Sequence, residues 1–217
     1  MSQGFWGKLE SEIIENNTVN NELYKELGVK RGLRNEDGSG VLAGLSTVSS
    51  VVGSVKSEAG LEPVEGKLRY RGVEINDLIT TIHDGNYDCF EKSIFMLLVG
   101  RLPNDAEYKE FRSYMQSENT VPSSLVSSLI SAVPSPNIMN KLQTVISGLY
   151  AVDSDAETSD PVANIEKSPA IIAKLPMIVA YAYLEYYQKG SSLVPPLDGA
   201  TCADSFLYML RQGKRAT

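Results

Sequence analysis

From Glu74 to the C-terminus the apolar residues recur three and four apart in one block after another, with connections of only a few residues between blocks. That pattern specifies amphipathic helices, and short connections make successive helices antiparallel neighbours. Phe90, Ile94, Phe95, Leu97 and Leu98 form a wide apolar face that Gly100 ends, and Asp88 followed by Glu91 has the spacing of a capping box. Asn104 is placed to cap a helix carrying Tyr108, Phe111 and Met115, and Pro122 suits the first turn before Leu125, Val126, Leu129, Ile130 and Val133. Asn137 caps a run of Ile138, Leu142, Val145, Ile146 and Leu149. Asp160-Pro161 opens a longer helix that Pro169 and Pro176 must kink or split. Val194 to Gly199 reads as a loop and Ala203 to Leu210 as a last helix.

The N-terminal quarter is different. Leu9, Ile13, Leu23 and Leu27 are helically spaced, but Asn16-Asn17 and Asn20-Asn21 predict a frayed or two-piece helix that Gly28 stops. A Gly-rich connector follows, with Gly38, Gly40 and Gly44 one residue too widely spaced for a dinucleotide loop and no strand ahead of them. Ser46 to Val55 and Lys67 to Arg71 then read as short strands flanking a turn-forming insert, Gly60 to Gly66. Such a hairpin must pack on helices or on another chain. The expectation is a mainly α fold with a small β-hairpin near the N-terminus: residues 1–44 as N-terminal helix and connector, 45–217 as part of a large helical domain.

A net charge of −7 over 217 residues argues against a broad nucleic-acid or anionic-membrane footprint. Lys174, Pro176 and Glu185 interrupt the most apolar run, Ala170 to Tyr187, so it is expected to be a core helix, not a membrane span. The first ten residues lack a basic and then apolar leader pattern, and two distant cysteines, Cys89 and Cys202, suit a reducing compartment. A cytoplasmic location is the expectation.

Candidate chemistry is sparse. The single histidine, His83, sits beside Asp84-Gly85 and reads as an exposed turn residue before a general base. Cys89 lies by a helix start but has no evident histidine to activate it, so a structural role is favoured. The acidic run Asp153 to Asp160 puts Thr158 and Asn164 where a calcium loop needs Gly and Glu, and reads as a solvated connection. Tyr181, Tyr183, Tyr186 and Tyr187 read as a core or subunit face. Strand alternation puts Arg69 and Arg71 on one face and Tyr70 on the other, with ion pairing to neighbouring helices as their expected role. No residue is assigned as catalytic, cofactor-binding or metal-ligating.

Four collinear segments carry a family resemblance. Gly66-Lys-Leu-Arg-Tyr-Arg-Gly-Val-Glu-Ile-Asn-Asp-Leu78 resembles the motif with which citrate synthases begin their helical large domain. Phe90 to Pro103 is similar to the family's F-E-x-x-x-x-x-L-L-x-G-x-L-P segment, Ala173 to Tyr181 to its A-K-x-P-x-x-x-A-Y helix, and Asp204 to Leu210 to its N-F-L-Y-M-L element. The resemblance implies condensation of acetyl-CoA with oxaloacetate, or of propionyl-CoA in the methylcitrate branch. An aspartate base and two histidines do the chemistry, with no permanently bound cofactor and a homodimeric enzyme. The family's catalytic segments follow the N-F-L-Y-M-L element, and this sequence ends at Thr217, soon after it. Where many members carry His-Pro-Met, this chain has Asn137-Ile138-Met139. The 217 residues are therefore expected to be inactive alone. The rival expectation is a non-catalytic helical dimerisation or interaction module.

Overall fold

The structure, a computed structural model, describes residues 4–30, 44–82 and 88–214. His83, Gly38 and Gly40 lie outside the described residues.

Helix α8 (Pro161–Tyr187) is the axis of the fold, 27 residues and about 40 Å long. Asp160 caps it, its carboxylate accepting from the Val162 N–H at 3.1 Å, with Pro161 in the first turn. The helix runs through Pro169 and Pro176 without interruption, so the prolines do not split it. Each interior proline costs about 3 kcal/mol. Ala173, Met177, Ile178, Ala180, Tyr181, Ala182 and Leu184 are all buried, and that packing offsets the cost.

Two cores lie along this axis. Toward the N-terminal half of α8, α1 (Phe5–Asn17), α4 (Cys89–Val99) and α5 (Asp105–Ser117) bring Trp6, Leu9, Ile13, Ile94, Phe95, Val99, Phe111 and Met115 against Ala173. Trp6 and Phe95 meet Phe111 edge to face, at centroid distances of 5.9 and 5.5 Å. The second core joins the later part of α8 to α6 (Ser123–Leu125) with its π-helical continuation Val126–Ser131, to α7 (Ile138–Leu149) and to α9 (Cys202–Leu210). Gly148 lets α7 approach closely, since a Cβ there would stand 2.5 Å from Leu129 Cδ1.

Helix α1 starts at Phe5, earlier than the apolar spacing suggested, because Phe5 and Trp6 pack into the first core. As expected the N-terminal helix is in two pieces, with α2 (Glu22–Glu26) following and Gly28 at φ 60° ending it. Leu23 and Leu27 do not share the buried face of Leu9 and Ile13; they are exposed.

The hairpin is longer than expected. Strand β1 (Ser49–Ser57) pairs antiparallel with β2 (Gly60–Tyr70), so Gly60 to Gly66 is strand and the turn is Glu58-Ala59. Pro63 is tolerated because β3 (Val73–Glu74) pairs with β2 only at Arg69 and Tyr70, leaving the far side of Pro63 without a ladder. Helix α3 (Ile75–Ile82) follows directly, and its Leu78 packs on Met96.

Asn104 makes a full capping box with Glu107 at the start of α5, and Asn137 accepts from the Asn140 N–H at 2.9 Å to cap α7. The Asp153 to Asp160 run is a loop, in which Asp153 pairs with Lys167 at 2.9 Å. Among the described residues no helix is long and apolar enough to cross a membrane.

Candidate functional site

Where α4, α5 and α9 converge, the fold buries a group of polar side chains around Glu91. Asp88 and Glu91 do not form the capping box their spacing suggested: Asp88 makes no capping hydrogen bond and pairs instead with Lys92 at 3.1 Å. Phe90 turns outward while Glu91, only 1% exposed, turns in. Helix α4 is rotated this way because Ile94 and Phe95, three and four residues on, belong to the core. Glu91 Oε1 accepts the Cys202 N–H at 2.7 Å, at the first turn of α9, and Thr201 caps the same end by accepting from the Asp204 N–H at 3.2 Å. A carboxylate here also meets the positive end of the helix dipole.

Arg112 reaches the junction from α5, its Nη2 donating to the Gly199 carbonyl at 2.6 Å. Tyr108, one turn earlier, has its hydroxyl pKa pushed above the usual tyrosine range, first by burial and then by the charges of Glu91 and Asp88. Burial, with the Glu91 charge second, raises the Cys202 thiol to about 12. The thiol is held protonated, which is the opposite of what a nucleophilic cysteine needs. Neither Cys89 nor Cys202 is in a disulfide, and both are half-buried. Among the described residues no group of three or more His, Cys, Asp or Glu stands close enough to hold a metal ion.

Arg71 departs from its expected place. It is not on the strand with Arg69: with Gly72 it forms a two-residue turn between β2 and β3, both at positive φ (49° and 82°). The turn swings its guanidinium onto carbonyl and amide oxygens of Asn16, Asn17 and Leu97 instead of carboxylates. Burial lowers its pKa. The arginine holds the C-terminal ends of α1 and α4 together, where exposed carbonyls favour a cation. Tyr181 is buried, its hydroxyl donating to the Val194 carbonyl at 2.8 Å, whereas Tyr183 and Tyr187 stand at the surface.

Glu91 and Arg112 are the residues that sequence reasoning missed. The signal was there for Glu91: a carboxylate three residues before a core isoleucine lies on the buried face. Its partner on α9, 111 residues away, carries no local mark.

The family model for the citrate synthase C-terminal domain matches residues 37–217. The chain belongs to the citrate synthase family. It is 32% identical over 172 residues to citrate synthase 2 of Bacillus subtilis, covering 79% of this chain and 41% of that protein. With the 2-methylcitrate synthase of Mycobacterium tuberculosis it shares 30% identity over 181 residues, 83% of this chain and 40% of the relative. The chain thus spans about two fifths of the length of these curated relatives. The crystal structure of citrate synthase from Pyrobaculum aerophilum aligns with a TM-score of 0.66 at 22% identity, covering 92% of this chain and 47% of that one. That from Thermotoga maritima aligns at 0.60, also at 22% identity, covering 80% of this chain and 40% of that one. The two alignments show a shared fold, and the multi-helical architecture with its small antiparallel sheet is that of citrate synthases.

Proposed function

We propose that these residues form the leading part of a citrate synthase-type acyltransferase, condensing acetyl-CoA with oxaloacetate to citrate and free CoA. The single observation that carries this reading is the family match across residues 37–217. The catalytic aspartate and histidines of the family are proposed to lie outside the 217 residues, which contain one histidine. Propionyl-CoA is the alternative acyl donor, given that both citrate and 2-methylcitrate synthases are among the relatives. The CoA thioester is a substrate in this reading, and no bound cofactor is invoked. The enzyme is proposed to work as a homodimer in the cytoplasm.

A second reading, a non-catalytic dimerisation module, is favoured by one observation. Met139 on α7 is 72% exposed, Tyr150 just beyond that helix 59% and Tyr187 at the end of α8 53%, so several large side chains stand at the surface. Both readings expect association of the chain, so activity separates them.

The test is thiol release from acetyl-CoA plus oxaloacetate, and in parallel from propionyl-CoA. It is made with the purified chain alone and with the polypeptide extended by whatever open frame follows codon 217. Silence from the short chain and turnover from the extended one is the expected pair of results. Turnover by the short chain would overturn the placement of the catalytic groups. Silence from both would favour the module.

A further inference from the structure

The convergence of α4, α5 and α9 borders a small cavity of about 20 Å³, lined among others by Glu91, Arg112, Gln116, Thr201, Cys202 and Ser205. A space of this size holds one water-sized molecule. Among the described residues, two of the buried polar atoms without a hydrogen-bond partner in the protein belong to side chains that line this cavity: Glu91 Oε2 and Arg112 Nε. Their sister atoms are engaged, Glu91 Oε1 by the Cys202 N–H and Arg112 Nη2 by the Gly199 carbonyl. The two side chains make no direct ion pair with each other. A carboxylate oxygen on a side chain only 1% exposed and left without a donor is disfavoured, so the site favours an occupant.

The chemistry of the two atoms selects that occupant. Oε2 needs a donor and Nε–H needs an acceptor. A chloride ion only accepts and an ammonium ion only donates; a metal cation offers nothing to Nε–H and would stand beside a guanidinium. One molecule that fits and does both is water.

We propose that the cavity is a built site for one structural water that donates to Glu91 Oε2 and accepts from Arg112 Nε. It completes a charge-assisted bridge from α4 to α5. The bridge positions Glu91, and Glu91 in turn holds the first N–H of α9. The site therefore adds a polar tie at the start of α9, whose apolar face packs into the second core.

The experiment has two arms. A high-resolution crystal structure of the wild-type chain is expected to show an ordered water within hydrogen-bond distance of both atoms. An empty cavity, or direct contact between Glu91 Oε2 and Arg112, overturns the proposal. In the second arm, native-state hydrogen exchange is compared between wild type and R112K, which keeps the charge but lacks Nε–H. Exchange at the Cys202 and Ser205 amides is expected to quicken about tenfold while amides in α7 stay unchanged. Unchanged exchange at Cys202 would also overturn it. If R112K does not fold, the wild-type crystal structure decides alone: one water touching both atoms supports the bridge and its absence overturns it.

Discussion

The Arg71 guanidinium grips the Leu97 carbonyl oxygen with two nitrogens, Nε at 3.2 Å and Nη2 at 2.5 Å. From the same fork Nη1 donates to the Asn16 carbonyl at 2.8 Å and Nη2 to Asn17 Oδ1 at 2.8 Å. One side chain on a β-turn therefore ties the ends of two helices. Since hydrogen bonds to a charged group contribute about 1.5–3 kcal/mol, R71A is expected to lose about 2–3 kcal/mol of unfolding free energy. A lysine presents no fork, so R71K is expected to recover less than half of that loss. Urea denaturation of the three proteins measures both; equal stability of R71K and wild type would remove the forked geometry from the explanation.

Gly100 ends α4 in the left-handed region at φ 106°, and a Cβ there would stand 2.5 Å from the Asn16 amide nitrogen. That amide donates to the Val99 carbonyl at 2.8 Å. Gly190 is also left-handed, at φ 84°, but has open space around it. Alanine at Gly190 is expected to cost about 1 kcal/mol from backbone conformation alone. Alanine at Gly100 should cost about 2–4 kcal/mol, because it also displaces Asn16. Thermal unfolding of G100A and G190A gives the difference directly.

Arg101 bridges Glu107 of α5 and Glu12 of α1, each at 2.8 Å. Its hydrogen bond is the first cause that lowers the Glu107 pKa below 4.5. A depressed carboxylate stabilises the fold above its unfolded pKa, and the contribution fades as pH falls through the folded value. With the Arg101 side chain 41% exposed, solvent screening holds this to about 1 kcal/mol. Glutamine at Glu107 can still close the capping box on the Asn104 N–H, so E107Q removes the charge and spares the cap. Stability of wild type is expected to fall toward that of E107Q as pH drops below about 4.5, with the gap present at neutral pH. Parallel pH profiles would rule the pair out.

The Cys202 thiol at about 12, against an ordinary 9.0, carries roughly a thousandfold less thiolate at pH 8. Alkylation of Cys202 by iodoacetamide in the native chain is expected to be slower than that of an unfolded control by at least that factor. E91Q, which removes the second cause of the shift, is expected to quicken it. Mass-spectrometric time courses report both rates.

What could be read from the residues was mostly local. Asn104, Asn137 and Asp160 announce helix starts by chemistry that reaches two or three residues, and Gly28 and Gly100 announce ends the same way. The prolines do not split α8, because their cost is local while the packing that outweighs it comes from the helices of both cores. Gly60 to Gly66 read as a turn from its glycines and Pro63, yet an edge position makes all three acceptable in a strand. Arg71 was placed by strand alternation, which the left-handed turn at Arg71-Gly72 breaks. The site around Glu91 needs three helices at once, and no window of sequence contains them.

The bond from Glu91 to Cys202 also orders events in time. Closing a loop of 111 residues costs about 4 kcal/mol of chain entropy before any contact repays it. During synthesis at about 5–20 residues per second, α4 waits at least several seconds with a carboxylate turned toward the core before its partner amide exists. The carboxylate is thus made well before the amide that satisfies it, and this long-range contact is among the latest the chain can form.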